Sequence, residues 1–443
     1  MKRTRPQSAA LTAALLWLTV SMVPAEIRHV LHISVDGLRG DLLKALIEAN
    51  PDDHPNFLRL QQQGSFTFNA RCDYDYSETL PNHCSLVTGC PVLNPPGNAT
   101  AGHNYTSNGY TGNATTGNSI HQLSPAAYSY KVSTFDMAHD RGFSTAVFGG
   151  KTRFNLFVHS YNATKGRADT VGADNGKNKI DFASVADLTT SANLPNIKTA
   201  VVADITAGTL RRYNLIHFTD TDTGQTTGGH NVGWGSAGWN QGVLNVDGYL
   251  GAIFAALDGA NPSIKGKVAI VLTADHGGGG GGVGPGATPD RNHGDATNVA
   301  NIRIPLFIWG PGIPAGTDAH RLFVNRTDPG NTRPGTGAAV PQPLRNADSA
   351  NIAMLLLGVP PVEGSYYLPQ PAATLSITRQ AEQIEISWPS YLTGYSLQST
   401  LDAQTGPWTA DGVAPTESSG KLVRLVPVQP GENRRYWRLA PPQ

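Results

Sequence analysis

Residues 27–43, IRHVLHISVDGLRGDLL, open with an apolar, β-branched run, reach an acidic residue and a glycine at Asp36-Gly37, and pass into a helical pattern. A buried strand that ends in Asp-Gly and hands over to a helix is how an α/β sheet begins. The same grammar recurs at residues 142–150 (GFSTAVFGG), 214–222 (NLIHFTDTD), 268–277 (VAIVLTADHG) and 302–310 (IRIPLFIWG). Helical stretches at residues 199–212 and 244–257 lie between them. These runs predict an α/β protein with a mostly parallel sheet and helices on both faces.

Away from this core the chain changes character at both ends. Residues 347–358 read as a helix stopped by Gly358, and Pro360, Pro361, Pro369 and Pro371 mark a linker. From Thr374 onward apolar and polar residues alternate (TLSITRQ, QIEISW, GYSLQS, KLVRLVPV, YWRLA), the pattern of a small β-sandwich. At the other end, Lys2, Arg3 and Arg5 precede an uncharged stretch that closes with Val23-Pro24-Ala25. That is the layout of a secretory signal peptide cleaved before Glu26, and the stretch is too short for a comfortable membrane span. The expected organisation is a signal peptide at 1–25, a large α/β domain at 26–370 and an accessory sandwich at 371–443. The mature protein is expected to be secreted or periplasmic, with no membrane span.

The 443 residues carry 33 Lys+Arg against 33 Asp+Glu, and only 15% of them are charged. A binder of nucleic-acid polymer held by many phosphate contacts is excluded by that balance, whereas a small ligand is readily accommodated. Cys72, Cys84 and Cys90 allow one disulfide at most, from Cys72 or Cys84 to Cys90, or buried free thiols, and no Cys-x-x-Cys metal spacing exists. The Asn-x-Ser/Thr triplets at Asn98, Asn104, Asn113, Asn162 and Asn325 read as chance in a loop-rich chain.

Open α/β sheets bind ligands beyond the carboxyl ends of their strands. Asp36 stands at the first such end, Asp222 at another with His230 shortly after, Asp275-His276 at a third, and His293 follows a glycine-rich run. Singly, each has an ordinary role as a helix cap or a surface histidine. Together, three carboxylates and three imidazoles on one edge call for cations, and mixed Asp/His ligation suits two divalent, zinc-like ions. Thr79, in Ser77-Glu78-Thr79-Leu80-Pro81-Asn82-His83, stands at the start of an apolar helix, where free backbone N–H groups favour an anion. It is either a nucleophile or the cap of that helix. The glycines at 277–282 lack the Lys-Ser/Thr ending of a P-loop and read as a flexible connection, and no Gly-x-Ser-x-Gly elbow is present.

The ordered set VDGLRGD, ETLPNHCSLVTG, TADHG and NHGD resembles the type I phosphodiesterase/nucleotide pyrophosphatase branch of the alkaline phosphatase superfamily, over residues 27–367. The resemblance implies an alkaline phosphatase-like fold and Thr79 as nucleophile. It also implies one zinc on Asp36, Thr79, Asp275 and His276, a second on Asp222, His230 and His293, and a phosphoryl oxygen on Asn108. Three departures stand out. The Asp222-to-His230 spacing is stretched, so that Asp220 rivals Asp222; Glu78 precedes the nucleophile; and His293 follows His276 without the family's long insertion. The Cys/Ser-x-Pro-x-Arg sequence of sulfatases is absent. Lys151 and Arg153 resemble the basic pair of certain Thr-dependent alkaline phosphatases, which grips the terminal oxygens of a monoester; the alternative is a solvated turn.

The function so implied is that of a secreted two-metal phosphohydrolase. It would cleave phosphodiester/pyrophosphate or phosphomonoester bonds of small substrates through a phospho-threonine. The alternatives are a phosphonate-cleaving or phosphoglycerate-mutase-like enzyme, or a non-catalytic, metal-stabilised binding protein. For the C-terminal sandwich the readings are contact with a surface or glycan, or a passive spacer.

Overall fold

The computed structural model describes residues 27–110, 119–124, 127–185, 196–280, 289–337, 340–373, 375–380, 382–418, 421–429 and 434–441. The stretch expected to be a signal peptide, the Asn113 triplet and residues 281–282 of the glycine run lie outside the described residues.

Before the linker the strands are β1 (His29–Val35), β2 (Ser65–Arg71), β3 (Gln122–Ser124), β4 (Ala127–Tyr128), β5 (Thr145–Gly149), β6 (Phe182–Val185), β7 (Tyr213–Phe218), β8 (Val268–Thr273), β9 (Arg303–Trp309) and β10 (Thr317–Asp318). Eight of them form one sheet in the order β10-β2-β9-β8-β1-β7-β5-β6, while β3 and β4 make a separate hairpin. β1 pairs in parallel with β7 and β8, and β5 in parallel with β7 and β6. Every residue of β5, β7 and β8 is buried, as strands covered on both faces require.

The sheet departs from the expected grammar at β9, which runs antiparallel to both β8 and β2. A parallel return needs a crossover of a dozen or more residues, usually helical. Between β8 and β9 the described residues include only the short helix Val299–Ile302, and the strand comes back beside β8 in the opposite sense. β2 is a strand that the apolar-run pattern passes over, because SFTFNAR alternates instead of running apolar throughout.

Helices Ile197–Ala207 and Ala237–Gly259 pack on each other on one side of the sheet, and Thr79–Thr88 and Asp348–Leu356 pack together elsewhere against it. Helix Thr79–Thr88 is buried along its whole length and stops at Gly89, whose left-handed backbone donates its N–H to the Ser85 carbonyl. No helix among the described residues is long and apolar enough to cross a membrane. Cys72, Cys84 and Cys90 are all buried and free.

After the linker come β11 (Ser376–Gln380), β12 (Gln383–Pro389), β13 (Ser396–Thr400), β14 (Thr409–Ala410), β15 (Thr416–Ser418), β16 (Lys421–Pro427) and β17 (Tyr436–Ala440). They form two antiparallel sheets, β11-β12-β16-β15 and β14-β13-β17. Trp388, Leu397 and Val426 are buried on them, giving the small β-sandwich that the alternating pattern predicts. The module is not detached: Ile386, Tyr391 and Leu392 belong to the same apolar cluster as the α/β core, and the Thr393 hydroxyl donates to the Leu356 carbonyl at 3.2 Å.

Candidate metal centre

Adjacent strands β8, β1, β7 and β5 deliver the candidate groups from their carboxyl ends: Asp275-His276 after β8, Asp36 after β1, Asp222 after β7 and Lys151 after β5. The structure gathers them into two clusters of ligand type, Asp36 with Asp275 and His276, and Asp222 with His230 and His293. Asp222, not Asp220, is therefore the residue beside the two histidines. Asp220 turns away and accepts from Tyr249 Oη at 2.9 Å and Asn245 Nδ2 at 3.2 Å.

In the first cluster, His276 Nε2 lies 3.5 Å from Asp36 Oδ1 and 3.4 Å from Asp275 Oδ2. All three atoms are buried and have no hydrogen-bond partner. Leaving such atoms unsatisfied costs stability, and native proteins rarely do it without a ligand. Their separations match the ~3.4 Å between neighbouring ligand atoms around a tetrahedral ion with bonds of ~2.1 Å. The opposite oxygens are spoken for: Asp275 Oδ1 accepts from the N–H groups of Gly37 at 3.0 Å and His276 at 2.9 Å. Asp36 Oδ2 accepts from His217 Nε2 at 3.0 Å.

The second cluster repeats this logic. Asp222 Oδ1 is buried and orphaned, 3.6 Å from His230 Nε2, which in turn lies 3.0 Å from His293 Nε2. Each of the three histidines faces a backbone carbonyl through Nδ1: His276 that of Gly277 at 2.8 Å, His230 that of Arg291 at 3.1 Å, and His293 that of Ser77. A carbonyl only accepts, so each ring carries its proton on Nδ1 and turns its Nε2 lone pair inward. This is the outer-shell arrangement that fixes metal-binding tautomers. The donor set thus fits two divalent cations. The His230 side chain is 42% exposed, which leaves the second cluster open to solvent.

Electrostatics separate the carboxylates. Burial would raise Asp36, but the Lys151 ammonium and the His217 ring outweigh it and hold its carboxyl well below the usual range. Burial, and then the Asp36 charge, push Asp275 well above it. Burial keeps His276 low, and burial with His276 beside it takes His293 down to about 2, so these rings are neutral donors at pH 7.

Thr79 is the first residue of helix Thr79–Thr88 and is 1% exposed. The N-cap is Glu78, and no side chain caps the helix, so Thr79 does not serve as the cap. Asn108 Oδ1 accepts from the Leu80 N–H and from Arg153 Nη1, both at 3.0 Å, which brings Asn108 and Arg153 to the same helix end. Lys151 is no solvated turn residue: it is 8% exposed, and its Nζ lies 2.6 Å from Asp36 Oδ2 and 2.7 Å from Asp222 Oδ2.

Two supporting residues escape the motif reading. His217, inside β7, orients Asp36 and stacks on Phe154 at 4.1 Å. Trp234 donates Nε1–H to the Gly37 carbonyl at 2.8 Å and meets His230 and His293 edge-on at 5.6 and 5.8 Å. A Cβ on Gly229 or Gly278 would stand 2.3 or 2.1 Å from the Trp234 ring. Near residue 277 the glycine run is therefore not a loose connection. It lies flat against Trp234, tied by bonds from Gly277 N–H to Asn301 and Gly278 N–H to Ala300.

A metal-ready centre at the carboxyl edge of a mostly parallel sheet is the architecture of the alkaline phosphatase superfamily, a class of phosphoester hydrolases and related enzymes. Within it, the chain belongs to the type I phosphodiesterase/nucleotide pyrophosphatase family, whose model matches residues 30–281. A search of curated proteins returns no match. Among solved structures, a Vibrio parahaemolyticus protein in the alkaline phosphatase superfamily is 14% identical with a TM-score of 0.46, over 88% of this chain and 84% of that one. Murine ectonucleotide pyrophosphatase/phosphodiesterase 5, in complex with AMP, is 17% identical with a TM-score of 0.37, over 56% of this chain and 57% of its own. A 2-O GAG sulfatase is 12% identical with a TM-score of 0.48, over 82% of this chain and 81% of that one.

Proposed function

We propose that the protein is an exported two-metal phosphohydrolase acting on small phosphoesters through a phospho-threonine at Thr79. The observation that carries this reading is the trio Asp36 Oδ1, Asp275 Oδ2 and His276 Nε2, buried, unpartnered and spaced as ligands of one ion. Asp36, Asp275 and His276, with Thr79, would hold one cation, and Asp222, His230 and His293 the other. Zinc ions bound there would supply Lewis acidity and counter-charge for the transferring phosphoryl group.

Thr79 Oγ attacks phosphorus in line and gives up its proton, which is returned to the leaving oxygen. The Oγ–P bond forms as the bond from phosphorus to the leaving oxygen breaks, releasing an alcohol or a phosphate. Water then attacks phosphorus from the vacated side, the Oγ–P bond breaks, and Thr79 is regenerated with inorganic phosphate or a monoester as product. Asn108, held by its Oδ1 on the Leu80 N–H, and Arg153 orient the non-bridging oxygens through their remaining N–H groups. Arg153 at this helix end favours a substrate with a doubly charged terminal phosphate, so a phosphomonoester is the second reading beside the family's diesters and pyrophosphates. We place the catalytic unit at residues 26–370 and the accessory sandwich at 371–443, since every proposed ligand precedes the linker.

The test is to replace Thr79 and trap the intermediate. Thr79→Ala should lose on the order of 10⁴-fold or more in kcat. With no cap bond to lose, it should change stability by no more than about 1 kcal/mol. Acid quenching of the native enzyme during turnover should leave phosphate on the peptide containing Thr79. Full turnover in Thr79→Ala would refute the nucleophile.

A further inference from the structure

Asp36, Asp222 and Asp275 are fully or almost fully buried, and a folded chain must balance that charge in some way before any ion arrives. One cationic side chain reaches both ligand sets. Lys151 leaves the end of β5, and its ammonium stands 2.6 Å from Asp36 in the first cluster and 2.7 Å from Asp222 in the second. It touches Oδ2 of each carboxylate, while Oδ1 of each faces the neighbouring histidine and remains unpartnered. One oxygen of each aspartate is thus held by the chain, and the other is presented to an ion.

We propose that Lys151 is a positioning residue and the resident counter-charge of the metal centre: bridging Asp36 and Asp222, it keeps the two ligand sets assembled and correctly turned before ions enter. This rests on the two-cluster centre described above and assigns Lys151 a task apart from gripping substrate. By linkage, a cation that stays with the carboxylates stabilises the ion-free state more than the loaded one. Lys151 therefore makes the empty site durable at the expense of some metal affinity.

The test compares native protein, Lys151→Met and Lys151→Arg as full-length chains, chelated or reloaded with zinc. The readouts are melting temperature and zinc affinity by calorimetry. Lys151→Met should lower the melting temperature of the zinc-free chain by roughly 3–5 °C and that of the zinc-loaded chain by much less. It should bind zinc about tenfold more tightly, and Lys151→Arg should recover most of the zinc-free stability. An unchanged zinc-free melting temperature, or equal losses in both forms with unaltered zinc affinity, would overturn the proposal and leave Lys151 to the substrate. If Lys151→Met does not fold without zinc, the double variant Lys151→Met/Asp222→Asn decides. Recovery of a folded zinc-free chain supports the counter-charge, and failure to fold even with zinc refutes it. Native protein that binds no zinc would defeat the metal centre itself, a result separate from the zinc-free comparison.

Discussion

His230 and His293 face each other through their Nε2 atoms, 3.0 Å apart, and each ring has its Nδ1 proton committed to a backbone carbonyl. A proton on one Nε2, or a cation bound by both, satisfies two ring nitrogens at that distance. With Asp222 Oδ1 beside His230, this pair would serve the second ion of the proposed centre, as the orphaned atoms around His276 would serve the first.

Loading the centre should release protons. His276 and His293 are already neutral, whereas Asp275, raised well above the usual carboxylate range by burial and by Asp36, holds its proton to higher pH than an ordinary carboxylate in the ion-free chain. A cation must displace that proton, so affinity should rise with pH until free Asp275 ionises. Zinc titrations at a series of pH values, in buffers of different ionisation enthalpy, should reveal proton release that fades as pH rises, and Asp275→Asn should abolish it. No buffer dependence in the native chain would contradict this charge assignment.

Gly278→Ala should damage the centre through packing alone. Its new Cβ would lie 2.1 Å from the Trp234 ring, which supports His230 and His293 from the side. Relieving that overlap costs about 1–3 kcal/mol. Melting temperature and zinc content should both fall; a variant matching the native protein in both would mean that the Trp234 contact is not needed.

How much of this could be read beforehand depends on whether one residue or a partnership carries the information. The strand-end positions of Asp36, Asp222 and Asp275 follow from apolar runs closed by an acid, because a buried parallel strand leaves few places for a carboxylate except its end. The reversal of β9 was hidden, since IRIPLFIWG has the same composition in either direction and only the connection from β8 decides. His217 was hidden as well. Its one signal is a polar ring inside the otherwise apolar LIHF, and its meaning comes from Asp36, far away in sequence and 3.0 Å away in space. The choice between Asp220 and Asp222 likewise needed the turn Asp220–Thr223, which points the two side chains in different directions.

Arg153 reports on substrate class. It joins Asn108 at the start of the Thr79 helix, where the terminal oxygens of a phosphate would lie. If a monoester is the preferred substrate, Arg153→Ala should cut kcat/KM for an aryl phosphate about 100-fold and leave the matching methyl aryl diester within a few-fold. Equal losses on both substrates would return Arg153 to a structural role and favour the diester reading.

The central claim is that two ions, held by separable ligand sets, run the chemistry. The most direct measurement is metal content per chain alongside phosphoesterase turnover for the native protein, His276→Ala and His293→Ala. The account predicts two ions in the native protein, about one in each variant with nearly all turnover lost, and activity that disappears on chelation and returns with zinc. A native chain that turns over phosphoesters at full rate after its metal has been removed and shown to be absent would contradict it.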